Sequence, residues 1–247
     1  MSDDWRAHER GLVRRIERHP DASVDHSAWP FTLAPVRQLV REGLDLAPGV
    51  TFLVGENGSG KSTVVEGVAM AYGLNPEGGS TGAMHGSRVS ESELSKALRI
   101  VRTAGAPRWS YFLRAETMHG LFTYLEQTDG GVRDPRFHEM SHGESFLEVL
   151  RTRFDAIGFY VLDEPESALS FSSCLGLIGL FHELAASGAQ VLCATHSPLL
   201  ASLPGATVLQ LDADGYRPVS WGRLELVAHW RSYLEAPERY LRHLLTP

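Results

Sequence analysis

The sequence predicts an α/β fold with a mostly parallel central sheet flanked by helices. Three observations predict it: a strand, loop and helix in succession over residues 50–72, two further apolar strands at 159–162 and 190–194, and an apolar helix at 172–186 between those two strands. Strands that alternate with helices in this way pair in parallel and take helices on both faces.

The 247 residues are 43% hydrophobic, enough to bury a substantial core, and the expectation is a single domain over 1–247 with insertions. Residues 1–19 read as an N-terminal helix. Residues 20–35 carry three prolines and several turn formers and read as an irregular connection. A β-branched strand follows at 50–54, then a helix at 62–72 with Gly73 near its end. The Gly-, Ser- and Asn-rich stretch 73–90 reads as a long loop, 90–99 as a charged helix and 109–114 as a strand. A polar loop is expected at 128–140, and a helix at 143–154 with Leu147, Leu150 and Phe154 on one face. The C-terminal part, 205–247, reads as a hairpin of 207–211 and 217–221 around 212–215, then an amphipathic helical region with Tyr233, Leu234, Tyr240, Leu241 and Leu244.

The formal net charge of −7 argues against an extended, sequence-independent nucleic-acid surface. No stretch reaches the roughly 18 continuous apolar residues of a membrane span, and the opening residues lack the apolar region of a secretory signal. Cytoplasmic placement is expected, with Cys174 and Cys193 as two small core thiols.

Four motifs carry chemistry. The first is Gly55-Glu56-Asn57-Gly58-Ser59-Gly60-Lys61-Ser62, between the 50–54 strand and the 62–72 helix. Glycines there aim successive backbone N–H groups at phosphate oxygens, and the helix N-terminus adds attraction. Lys61 would touch the β and γ phosphates, Ser62 would offer its hydroxyl to Mg²⁺, and Thr63 follows in the binding set. Lysine occurs only at Lys61 and Lys96, the other basic residues being arginine. A compact ammonium enters a ring of amides where a planar guanidinium does not fit, although two lysines could also fall this way by chance.

The second motif is the apolar strand Phe159-Tyr160-Val161-Leu162 delivering Asp163 and Glu164 at its C-terminal end, the edge at which α/β sheets place ligands. Asp163 would hold a metal-bound water and Glu164 would orient or deprotonate the water that attacks the γ phosphate. The third is Met140-Ser141-His142-Gly143-Glu144-Ser145, a helix start that could be a second anion site or an ordinary cap by Ser141. The fourth, Ala194-Thr195-His196-Ser197, brings His196 to the same edge, where it can donate to the γ phosphate.

Taken in order, these four motifs resemble the ABC ATPase superfamily, including the heads of SMC-type proteins. Such heads have an antiparallel β portion beside the main sheet. The resemblance implies that Ser141-His142-Gly143-Glu144 is a variant signature, Asp163-Glu164 the Walker B pair, Ser167-Ala168-Leu169-Ser170 the D-loop and His196 the switch histidine. The SHGES run, Phe112-Leu113-Arg114-Ala115-Glu116 and Pro237-Glu238-Arg239-Tyr240-Leu241 are similar to a group of small standalone ATPases. His142 and Ser170 depart from the family pattern, the Q-loop residue is Glu116, Gln127 or neither, and for adenine stacking Trp29 and Phe31 compete with plain core packing. Roughly 80 residues separate the phosphate loop from Ser141, too few for coiled-coil arms, and no heptads occur there.

The expected function is hydrolysis of ATP to ADP and phosphate with Mg²⁺ in a homodimer closed head to tail on ATP. Lys61, Glu164 and His196 would act in it, and Ser141 and Gly143 of one copy would cap the nucleotide of the other. The alternatives are a binding switch with little turnover, timing association with a protein or nucleic-acid partner, and the nucleotide-binding subunit of a transporter.

Overall fold

The computed structural model describes residues 11–76, 78–80, 92–114, 147 and 150–245. Among the described residues a seven-stranded sheet holds β3 (Val50–Val54), β4 (Gly79–Ser80), β6 (Ser110–Arg114), β7 (Phe159–Asp163), β8 (Gln190–Thr195), β9 (Thr207–Asp212) and β10 (Gly215–Pro218) in the order β10-β9-β3-β8-β7-β6-β4. Of these pairs the inner ones, from β9 to β6, are parallel, while β10 on β9 and β4 on β6 run antiparallel. A separate antiparallel sheet, β2-β1-β5, is built from β1 (Val13–Arg18), β2 (Leu44–Asp45) and β5 (Leu98–Arg102).

Helices cover both faces of the large sheet, which is why its central strands are apolar at every position rather than at every second one. In β7, Tyr160 and Leu162 face one core while Phe159 and Val161 face the other. The first core packs α4 (Phe171–Ala186), through Leu177, Leu180 and Phe181, against Phe52, Tyr160 and Val191, with Leu150 and Phe154 beneath. Ser170 caps α4 by accepting from the Ser173 N–H at 3.2 Å. The opposite core gathers α1 (Ala34–Glu42), α2 (Lys61–Tyr72), α3 (Glu93–Ala97) and the small sheet. Pro35 lies in the first turn of α1, where a missing N–H costs nothing, and Val36, Leu39 and Val40 form its buried stripe.

Gln190, 1% exposed at the start of β8, joins the two sheets. Its Oε1 accepts from the Val13 N–H at 2.8 Å, and its Nε2 donates to the carbonyls of Val13 at 3.0 Å and Ala47 at 2.8 Å. Both ends of the amide are therefore satisfied in a buried position.

Several sequence expectations are corrected. Residues 13–18 form a strand, not part of a helix: a bulge between Val13 and Arg15 shifts the strand parity, so that Val13 and Ile16 face the same core at helical spacing. The charged helix expected at 90–99 is shortened to α3, and β5 begins at Leu98, where the chain pairs with β1 and sets Glu17 and Arg99 opposite one another as an ion pair. Helix α1 was not anticipated. Within the expected loop 73–90, Gly79 and Ser80 pair with β6. The second hairpin strand runs Gly215–Pro218 rather than 217–221, and the C-terminal region is two helices, α5 (Glu225–Glu235) and α6 (Glu238–Leu245), broken at Pro237. The loop expected at 128–140 and most of the helix expected at 143–154 lie outside the described residues, although 147 and 150–153 are helical.

Candidate functional site

Strand β3 ends at Val54, and the chain passes through residues 55–60 into α2, with Gly58 and Gly60 at φ of 80° and 91°. A side chain at Gly60 would have to adopt that left-handed backbone at the helix entrance. Gly55 is constrained differently, since a Cβ there would stand 2.4 Å from the carbonyl oxygen of Leu211 in β9. Lys61 is 3% exposed, and its Nζ donates to the Glu56 carbonyl at 3.0 Å. Burial lowers its pKa, while the carboxylates of Glu164, Asp163 and Glu166 pull it back up. Lys61 thus stands as a cation in a field of three acids gathered from β7 and the turn after it.

Asp163, 7% exposed, pairs with Ala194 of β8 on one side and Arg114 of β6 on the other. Burial pushes its carboxyl up to about 6, against the opposing pull of a hydrogen bond with Ser62 and the charges of Arg114 and Lys61. Arg114 is held in turn by Glu66 of α2 at 3.2 Å and the Pro76 carbonyl at 3.3 Å. The Oδ1 of Asp163 is buried with no hydrogen-bond partner among the described residues. An orphaned carboxylate oxygen beside the Ser62 hydroxyl is a donor set that suits a hard, oxygen-seeking cation such as Mg²⁺.

Glu164 is the one non-glycine residue with positive φ among those described, at φ 49°, ψ 50°. Such a backbone costs roughly 1–3 kcal/mol and persists only where surrounding bonds impose it. Here the Glu164 N–H donates to the Ala194 carbonyl at 3.0 Å, and its own carbonyl accepts from Ser167 at 3.1 Å. The result places Glu164 Oε1 2.5 Å from His196 Nε2, with about a third of each side chain exposed.

Gly55–Ser59 and His196 line one cleft of about 970 Å³. Its far walls are Leu33 and Pro35 at the start of α1 and Trp230, Tyr233 and Tyr240 of α5 and α6. Trp29 and Phe31 do not line this cleft: Phe31 is buried in the core, and Trp29 is 68% exposed, so the core reading holds for Phe31 alone. Ser141, Gly143, Glu116 and Gln127 lie outside the described residues. Sequence reasoning missed Glu166 and the aromatic wall of α5 and α6. The signal for Glu166 was a third acid two residues after Glu164, and for the wall, aromatics at helical spacing in an exposed helix. Both cysteines are free and buried, as expected of core thiols. Among the described residues no helix is long and apolar enough to cross a membrane.

Two family models match the chain: "AAA domain" over residues 35–108, and "AAA domain, putative AbiEii toxin, Type IV TA system" over residues 137–202. No curated protein matches it. Among solved structures, "a putative metal-chelate type ABC transporter" in an inward-facing conformation is 17% identical, with 74% of this chain and 76% of that one covered and a TM-score of 0.44. A second, cbiO1 from Clostridium perfringens, described as part of the ABC transporter complex cbiONQ, is 16% identical, with 80% and 88% covered and a TM-score of 0.41.

Proposed function

We propose that the chain is a P-loop ATPase of the ABC type, a reading supported by the two AAA-domain family models over residues 35–108 and 137–202, and that it hydrolyses ATP to ADP and phosphate with Mg²⁺. One observation supports this reading above the rest: the ends of the adjacent strands β3, β8 and β7 bring buried Lys61, the Ser62–Asp163 pair and the Glu164–His196 pair together on one rim of the sheet.

In this reading the amides of residues 55–62 and the Lys61 ammonium hold the β and γ phosphates, in exchange for the Glu56 carbonyl that Lys61 contacts here. Ser62 and Asp163 would hold Mg²⁺, which offsets the charge of the phosphates when bound. His196 turns from Glu164 to the γ phosphate and donates to it. The freed Glu164 carboxylate orients the attacking water and takes its proton as oxygen bonds to phosphorus and the bond to ADP breaks, a role that contributes on the order of 10²- to 10⁴-fold. Ser141 and Gly143 of a second copy cap the nucleotide, so that two copies close head to tail on two ATP molecules.

Glu164→Gln keeps an isosteric side chain but removes the base. It should abolish phosphate release while ATP binding by calorimetry persists, and in ATP it should run as a dimer in light scattering. Lys61→Ala should lose ATP binding. Normal turnover by Glu164→Gln would discard the assignment.

A further inference from the structure

Glu166 has no part in the mechanism above, yet one of its carboxylate oxygens accepts three hydrogen bonds beside the Glu164–His196 pair. The chain leaves β7 at Asp163, reverses through the left-handed Glu164, and makes one 3-10 turn, Pro165–Ala168. That turn carries the Glu166 carboxylate under the exit of β8. There a single oxygen, Oε1, accepts from the Thr195 hydroxyl at 2.6 Å, the His196 N–H at 2.6 Å and the Ser197 N–H at 3.1 Å. Its other oxygen is buried with no partner among the described residues. A carboxylate spent on three donors of one turn, with no counter-cation bonded to it among the described residues, fixes where that turn lies. The residue at the centre of the turn is His196, whose ring meets Glu164 at 2.5 Å.

We propose that Glu166 is a positioning residue which, by gripping the 195–197 turn, sets the His196 ring against Glu164. The proposal rests on the hydrolysis reading for its functional consequence and on geometry alone for its structural one. The two functional side chains come from neighbouring strands, and the parallel pairing of β7 with β8 sets their backbones only as far as Asp163 and Ala194. Beyond that register both chains leave the sheet. Glu164 is held by its own N–H on the Ala194 carbonyl, and the 195–197 turn is held from the Walker B side by Glu166. Without that grip the turn keeps the local bond from the Ser197 N–H to the Thr195 hydroxyl at 3.0 Å, which does not reach β7.

Three variants test this. Glu166→Ala removes the acceptor, and a misplacement of about 1 Å at a reacting geometry costs on the order of 10²-fold, so kcat for ATP should fall about 10- to 100-fold with KM within about threefold. Glu166→Gln, which keeps an acceptor at the Oε1 position, should lose no more than about fivefold. Because Glu166 acts through His196, adding Glu166→Ala to His196→Ala should change the rate by less than about twofold. Independently of turnover, the His196 ring resonance, identified by its loss in His196→Ala, should move in Glu166→Ala and stay in Glu166→Gln. The proposal is overturned if the His196 resonance does not move in Glu166→Ala. A Glu166→Ala loss that multiplies with His196→Ala, or a Glu166→Gln variant as slow as Glu166→Ala, overturns it equally. Turnover unaffected by Glu164→Gln and Lys61→Ala would instead remove the hydrolysis reading and leave the resonance to decide the positioning.

Discussion

Asp163→Asn is expected to make the ligand-free protein more stable at pH 8 while disabling it. Burial pushes the Asp163 carboxyl up to about 6 in the folded chain, from the 3.8 of a free aspartate side chain. Because the folded value is the higher one, the stabilising contribution of the bound proton is complete below pH 3.8, declines as pH rises through about 6, and is gone above that. At about 1.4 kcal/mol per unit, ionised Asp163 therefore opposes folding by about 3 kcal/mol at pH 8 and by about 1.5 kcal/mol at pH 5. Asparagine keeps an acceptor for the Ser62 hydroxyl and never ionises, so the variant recovers those amounts. For a chain of this length that is a rise of about 6–12 °C in Tm at pH 8, shrinking by half at pH 5. Thermal melts of both proteins across this range cancel the titrating groups remote from Asp163, and calorimetry with ATP and Mg²⁺ should show the lost affinity. A variant that is no more stable at pH 8, or whose gain does not shrink at pH 5, refutes the buried-carboxylate argument.

Two further outcomes can be checked with little effort. Gly55→Ala drives a Cβ to 2.4 Å from the Leu211 carbonyl, so it should weaken ATP binding and cost about 1–3 kcal/mol in urea unfolding, more than Gly179→Ala inside α4, where the backbone is helical and no heavy atom lies within 4 Å of the added carbon. Gln190→Leu removes one partner from the Val13 N–H and from the Val13 and Ala47 carbonyls; leaving such groups buried should lower stability by about 2–3 kcal/mol, read by the same unfolding assay.

The parts of the fold legible in the sequence are those whose cause is local. Strands β3, β7 and β8 show as short apolar runs because both faces are covered, and α2 and α4 as periodic segments with glycine or serine at their ends. The phosphate loop is legible for the same reason, since its glycines answer to backbone needs within eight residues. Strand β1 was misread because a bulge, set by its partner β5 more than eighty residues away, gave it helical spacing. Glu166 was passed over because its partners lie 29 to 31 residues further along the chain. The cleft's aromatic wall on α5 and α6 depends on how the last helices fold back over the rim, which no local pattern encodes.

The β10 edge of the large sheet is short: the strand has four residues and ends at Pro218. A ladder that brief, with a proline at its end, gives a foreign backbone little to zip onto. On that side, the sheet is guarded against growing sideways into fibrils.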